Sequence, residues 1–410
     1  MRGRPGLFTR YQTEMSLLPT TTQRVALISL LVAALVMPLG GIPLLGFLGD
    51  GDWLVILNRA LVFAVAALGL NLLTGVAGQV SLGHAFFMAV GAYTAVVLGG
   101  EAGTTVWGLG LPIWIWLPAA GIAAALVGML VSPTAVRVRG LYLAFVTLGL
   151  VFIGLHLWRN LGKIAGGPTT GREWPPLELA LWRGQDPLVS FDSAGPWFGV
   201  ELGAEAKTYF FVLGFAALFA LISKNLMRTR IGRSWTSIRD RDIAAEVMGV
   251  NESHSKLQAF AISSFYAGVA GALYAVVLGR VIPESWDLLL SVEFIAIVLI
   301  GGAGTVAGTL LGTFFVVLIP RVVEDFTFWL AGQAETGGAF SWLANLVVAT
   351  TSDDFGLVST GAAGPGLSVF QLNIVLFGVL IIVFLIAEPL GLFGMWIRIK
   401  HYWKGWPFTY

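Results

Sequence analysis

Long apolar runs recur along this 410-residue chain, separated by short polar or glycine-rich breaks. A helix needs roughly 17 to 25 apolar residues to cross the hydrocarbon core of a bilayer. On that measure the pattern predicts helical segments at 25–48, 53–74, 82–100, 112–132, 141–159, 208–223, 258–280, 288–301, 304–322 and 371–396. The segments 208–223 and 288–301 are short, which predicts tilted, re-entrant or bundle-buried pieces. The expected fold is therefore all-α: a polytopic membrane protein with about ten hydrophobic segments, some short or broken. The first run follows a basic tail and is too long for a signal-peptide core, so it reads as a retained membrane helix.

Composition agrees with that pattern. The chain is 57% hydrophobic and only 11% charged, against a charged share of about 25% in soluble domains. Orientation follows from the positive-inside rule, which counts Lys and Arg in short loops. With ten crossings and the N-terminus inside, the tail 1–24 and the stretches 133–140, 224–257 and 397–410 fall on one side; they hold 16 of the 24 basic residues and 5 of the 23 acidic ones. The loops 161–207 and 323–370 fall on the other, with six acids against four bases in the first and five acids without a base in the second. The expected organisation is a cytoplasmic tail at 1–24, a membrane domain at 25–397 with external loops 161–207 and 323–370 and a cytoplasmic loop 224–257, and a cytoplasmic tail at 398–410.

Several chemistries are excluded by residues that are missing. There is no cysteine, so disulfides, thiolate metal sites and a cysteine nucleophile are impossible. The four histidines stand far apart, no H-E-x-x-H or G-x-S-x-G occurs, and no GxxxxGK is followed by Ser or Thr. Catalytic residues and a metal site are therefore not expected. A net charge of +1 gives no nucleic-acid footprint.

Polar residues inside apolar runs are the remaining candidates. Asn71, Thr74, Gln79, Ser81 and His84 surround the glycine break in "LLTGVAGQVSLGHAFF", and Glu293 interrupts "SVEFIAIVLIGG". Ionisable groups within membrane segments mark transport paths or structural pairs, and broken helices expose backbone groups to a ligand. These six residues are the candidate substrate path, with a structural role for His84 the stronger reading. Arg59 reads as a side chain reaching for the interface. The break at 72–87 has an echo at 299–315, as in transporters built from repeats.

One polar stretch fits none of this. "GRSWTSIRDRDIAAEVMGVN", residues 232–251, lies between two apolar runs and carries alternating charges at Arg239, Asp240, Arg241 and Asp242. Its composition predicts a helix ending at Gly249. Its apolar residues, Trp235, Ile238, Ile243, Val247 and Met248, do not form a single stripe, which predicts contact on several faces.

Here the sequence resembles a known family. "AAEVMG" is similar to the EAA loop of ABC-importer permeases, with Ala244, Ala245 and Gly249 matching and Ile243 standing where that loop usually has Glu. The flanking segments "GLYLAFVTLG", "LNLLTGVAGQVSLGHAFFMAVGAY", "PESWDLLLSVEFIAIVLIGGAGTVAGTLLGTFF" and "EPLGLFG" resemble the permease subunit of branched-chain amino-acid ABC importers over roughly residues 53–397. The resemblance implies a coupling helix within Ser234–Gly249 (Ser234, Trp235, Ile238, Arg239, Asp240, Arg241, Asp242, Ala244, Ala245, Gly249). It implies three partners: cytoplasmic ATP-binding subunits that hold ATP and Mg, a second homologous permease subunit, and an extracytoplasmic substrate-binding protein. No cofactor is expected on this chain itself. The implied location is the inner membrane of a prokaryote, with both termini cytoplasmic. Urea, short amides or aromatic acids are alternative cargoes within the family. An ion-coupled secondary transporter or a membrane-embedded enzyme would be a different class, marked by activity without ATP-binding partners.

Overall fold

Within lipid a backbone satisfies its hydrogen bonds only by coiling on itself or closing a barrel, and the apolar runs of this chain coil. The computed structural model describes the chain except residues 1–20, 40–50, 105, 138–139, 168–169, 181, 183–186, 198–199, 337–347, 350–357, 360–366, 389 and 406–410. The fold is all-α and polytopic. Its helices are α1 (Thr21–Val36), α2 (Gly51–Leu70), α3 (His84–Gly99), α4 (Ile113–Arg137), α5 (Leu141–Asn160), α6 (Gly162–Ala165), α7 (Ala204–Leu226), α8 (Arg230–Val247), α9 (Glu252–Leu278), α10 (Leu288–Gly301), α11 (Val306–Thr336), α12 (Val369–Ala387) and α13 (Gly391–Gly405). A π-helical turn, Asn71–Val76, continues α2. Among the described residues six helices are long and apolar enough to span a bilayer: Gly51–Val76, Ile113–Thr134, Tyr142–Asn160, Ala204–Leu226, Glu252–Leu278 and Val306–Gln333. Shorter apolar helices lie at Ile28–Leu39, His84–Gly99 and Leu288–Gly301.

Contacts divide the chain into two units, residues 1–295 and 296–410. In the first, α9 is the central helix, packed against α2, α3 and α4, while α7 packs on α2. Small residues make this possible. Between membrane helices lipid tails are as apolar as side chains, so association depends on close packing, which Gly, Ala and Ser permit. Gly268 of α9 lies against the Gly91 backbone of α3 on one side and Ala120, Gly121 and Ala124 of α4 on the other, so that a Cβ at either Gly91 or Gly268 would collide with main chain. Around this contact Phe63, Ala64, Ala67 and Leu68 of α2 and Met88 and Ala92 of α3 are fully enclosed. In the second unit α11 packs against α12 and α13.

Three expectations are corrected. The segment 208–223 is not short: α7 has 23 residues, because the polar ends Ala204–Lys207 and Lys224–Leu226 continue the helix. Residues 323–336 do not belong to a loop, since α11 runs for 31 residues and Arg321 pairs with Asp325 one turn further on, at 3.1 Å. The run 371–396 is two helices. α12 ends at Ala387, and α13 carries on through the expected tail boundary at 397. The loop 161–207 holds short strands as well as helix. Beside α6 it forms antiparallel hairpins, β2 (Glu178–Leu179) with β3 (Val189–Ser190) and β4 (Gly195–Trp197) with β5 (Val200–Leu202). Its β1 (Arg172–Glu173) pairs with β6 (Arg280–Val281) beyond α9. The expected tail 1–24 lies almost wholly outside the described residues, as does much of 337–370.

Candidate functional site

Thr229 accepts a hydrogen bond from the Gly232 amide and so starts α8, as an N-cap residue should. The helix is then pinned inward by two large residues. Trp235 is fully buried, with its indole N–H donating to the Ser255 carbonyl at 3.0 Å, and Ile238 is buried one turn on. At Arg241 the backbone leaves the helical region (φ −156°, ψ 97°), so α8 is two helical pieces with an extended residue between them. The Asp242 carboxylate accepts from the Ile243 amide at 2.8 Å at the start of the second piece. Gly249 closes it in the left-handed region (φ 85°), its amide donating to the Glu246 carbonyl at 2.9 Å, which is the conformation a glycine adopts at lowest cost.

The break accounts for the missing stripe. Before it, Trp235 and Ile238 face the protein. After it, Ile243, Val247 and Met248 are 69%, 82% and 84% exposed. Ala245 is buried, whereas Ala244, Arg241 and Glu246 are exposed beside the apolar trio. One sequence stretch therefore has an anchored half and a presented half. Ser234 belongs to the anchored half, with its hydroxyl donating to the Arg230 carbonyl at 2.9 Å.

The alternating charges divide in the same way. The resemblance counts Arg239 within the coupling helix, and in the structure its guanidinium turns inward and donates to the Gly75 carbonyl at 2.7 Å. Its aliphatic stem lies on Gly78, where φ is +70° and an added Cβ would sit 2.6 Å from Arg239 Cγ. Asp240 steadies the same guanidinium at 3.1 Å. Arg239 thus clamps the π-helical end of the α2 segment, where α-helical backbone pairing fails and carbonyls are free to accept. A charge-assisted hydrogen bond of this kind contributes about 1.5–3 kcal/mol when shielded; with 39% of its side chain in solvent, Arg239 lies below that range.

The clamp borders a polar cavity of 220 Å³ lined by Ala77, Gly78, Gln79, Gly140, residues 238–242 and Lys256. Lys256 forms a buried ion pair with Glu252, Nζ to Oε1 2.6 Å. Neither Lys256 nor Gly78 stood out in the sequence: the Glu252–Lys256 spacing is that of any ordinary helix pair, and nothing local to Gly78 announces Arg239 as its neighbour. The glycines of "TGVAGQ" were the available signal: two in four residues, directly after an apolar run.

The six path candidates do not gather in this cavity. Gln79 alone lines it, with Thr74 donating to the Gln79 carbonyl at 3.1 Å. Asn71, Ser81 and His84 are buried; His84 Nε2 lies 2.8 Å from the Ala66 carbonyl, and its ring meets Phe294 edge-on. Glu293 pairs with Arg59 at 3.6 Å, whose guanidinium also lies over the Phe63 ring, 4.9 Å from its centre. Arg59 therefore has a partner within the bundle as well as access to the interface. Among the described residues no cluster of His, Asp and Glu forms a metal site.

Residues 53–350, well over half of the chain, match the family described as branched-chain amino acid transport system / permease component. The high-affinity branched-chain amino acid transport system permease protein LivM of Salmonella typhimurium is 32% identical over 312 residues, covering 75% of this chain and 70% of that protein. LivM of Escherichia coli is similar to the same extent. The autoinducer 2 import system permease protein LsrC of Enterobacter sp. is 34% identical over 122 residues, covering 28% of this chain and 35% of LsrC. No solved structure matches. The family match over residues 53–350 and the identity to LivM show that the chain belongs to the branched-chain amino-acid ABC importer permeases, a transporter subunit and not an enzyme.

Proposed function

We propose that this chain is the path-forming permease of an ATP-driven importer for branched-chain amino acids, and that the second half of α8 is where ATP-binding subunits grip it. The observation that carries the reading is the exposure of Ile243, Val247 and Met248 on a short helical piece whose other half is anchored. Three large apolar side chains on a polar segment outside the bundle make a docking surface, with Arg241 and Glu246 as a charged rim. The first helical piece then passes the motion inward. Arg239 links it to the Gly75 carbonyl, so a displacement of α8 reaches the π-helical turn without an intervening flexible loop. Bistable elements of this kind convert partner binding into a shift between outward- and inward-facing states.

The orientation follows from charge, with α8 and both termini on the cytoplasmic side. Contacts within residues 1–295 agree with it: Gly75 and Gly78 meet α8, while the expected outer segments meet one another through β1 and β6. The expected partners are ATP-binding subunits carrying ATP and Mg, a second homologous permease and an external binding protein, in the inner membrane of a prokaryote. Branched-chain amino acids are the cargo named for LivM, and autoinducer 2 for LsrC.

The test is reconstitution of the complete importer in proteoliposomes with labelled leucine and ATP. ATP-dependent leucine uptake is expected, and Val247→Asp with Met248→Asp is expected to lower it at least tenfold and to weaken ATPase association, with membrane insertion intact. Leucine uptake by this chain alone, without ATP, would place it among secondary transporters. Normal uptake by the doubly substituted chain would remove α8 from the coupling role.

A further inference from the structure

The second unit carries a groove between α11 and α13 that no described residue fills, with a volume of 490 Å³. Every residue lining it is apolar. One wall includes Leu311, Phe315 and Val322 of α11, and the other Leu392, Trp396 and Ile399 of α13. Side chains at these spacings share one face of a helix. Leu311, Val322, Trp396 and Ile399 are each about half exposed. From Leu311 to Val322 the groove follows α11 for about 16 Å, at about 1.5 Å per residue. That is about half of the roughly 30 Å hydrocarbon core, the depth that the acyl chains of one leaflet fill.

The charges of α13 border this groove. The helix starts on the turn that opens α11, where a Cβ at Gly391 would meet the Gly302 amide and the Ile300 carbonyl, each at 2.6 Å. About two turns on, the Arg398 guanidinium grips the Glu388 carboxylate, Nη1 to Oε1 2.8 Å and Nη2 to Oε2 2.9 Å. Glu388 is the C-cap of α12. The pair therefore holds Arg398 level with the end of the α12 apolar run, where charge meets water again. Lys400 is exposed and makes no hydrogen bond or ion pair among the described residues. It stands one turn after Trp396 of the groove wall, and the sequence repeats Lys one turn later, at 404. No Asp or Glu occurs from Gly391 to Tyr410. An apolar face beside a row of Lys is the pattern of a helix at a membrane surface, and unpaired cations there attract acidic phospholipids.

We propose that α11 and α13 form a binding site for one anionic phospholipid, with an acyl chain in the groove and the phosphate at Lys400. Charge complementarity selects this occupant. A zwitterionic lipid or an apolar helix fills the groove equally well, but leaves Lys400 and its acid-free surroundings without a counter-charge. The lipid bridges the two helices along the faces they leave open. The site depends on the membrane location of the chain, and on neither its cargo nor its ATP-binding partners.

Native mass spectrometry of the purified full chain, given equal amounts of phosphatidylglycerol and phosphatidylcholine with matched acyl chains, reads the preference directly. Wild type is expected to retain one phosphatidylglycerol several-fold more often than one phosphatidylcholine. Lys400→Gln is expected to abolish that preference and leave phosphatidylcholine retention unchanged. Val322→Trp fills the groove and is expected to lower retention of both lipids several-fold. Both positions are exposed, so each variant is expected to keep the wild-type melting temperature in lipid-free detergent. Equal retention of the two lipids by wild type overturns the site and leaves only bulk lipid against the groove. A preference that survives Lys400→Gln, or retention undiminished in Val322→Trp, also overturns it. So does loss of the bound lipid on assembly of the complete importer, which would assign the groove to the second permease subunit. No transport is measured, so this result stands apart from the leucine uptake that tests the importer reading.

Discussion

Arg239 shows how one side chain can serve two levels of the structure. Its charge sits in a polar loop where a surface role is the simplest expectation, yet its guanidinium closes on the Gly75 carbonyl and its stem fills the space left by the absent side chain of Gly78. Both halves of that contact can be tested. Arg239→Gln removes the charge and shortens the reach. Gly78→Ala forces a left-handed residue to carry a Cβ, at roughly 1–2 kcal/mol, and pushes that Cβ against Arg239 Cγ. Each is expected to leave ATP hydrolysis near normal and to lower leucine uptake per ATP several-fold in proteoliposomes. Arg239→Lys should recover part of the loss, since an ammonium still donates to a carbonyl. Unaltered coupling in both Arg239→Gln and Gly78→Ala would reduce the clamp to a packing detail.

At the level of elements, α9 is the helix on which the first unit depends. Its Gly268 separates it from α3 and α4 by no more than backbone, and the small residues around it exchange side-chain volume for close approach. Gly268→Leu inserts four carbons where a single Cβ already collides. Overpacking costs about 1–3 kcal/mol where neighbours can shift; here they are main chain, so the cost should exceed that range. The expected outcome is loss of monodisperse protein on size-exclusion chromatography. Gly378→Leu is the control, because no atom lies within contact distance of a Cβ there. Similar behaviour of the two variants would mean that α9 does not organise the bundle. The kink in α8 works by the opposite logic: there the chain interrupts a helix so that adjacent residues can serve different surroundings.

For the whole molecule, the absence of cysteine makes the side of the membrane that each loop faces simple to measure. Single cysteines at Ser193, exposed in the loop 161–207, and at Glu246, exposed on α8, need no prior removal of native thiols. In intact cells a membrane-impermeant maleimide is expected to label position 193 and to reach position 246 only after the membrane is opened. The reverse pattern would invert the topology and withdraw the ATPase-docking role from α8.

The one-dimensional pattern by itself determined the all-α polytopic class, the presence of helix along the apolar runs that the structure describes, and the contrast of residues 232–251 with their surroundings. These depend on local quantities: runs of hydropathy, glycine spacing and the charge of neighbouring residues. Helix ends were less legible. α7 and α11 extend past their apolar runs because polar residues sustain a helix as readily once its core is anchored. Only the tertiary structure separated Trp235 and Ile238 from Ile243, Val247 and Met248, since a single extended residue at Arg241 redirects the chain. Only it joined Arg239 to Gly75, Arg59 to Glu293 and Trp158 to Tyr93. Such contacts link positions distant in sequence, and a hydroxyl or guanidinium is given its role by what the fold places opposite it.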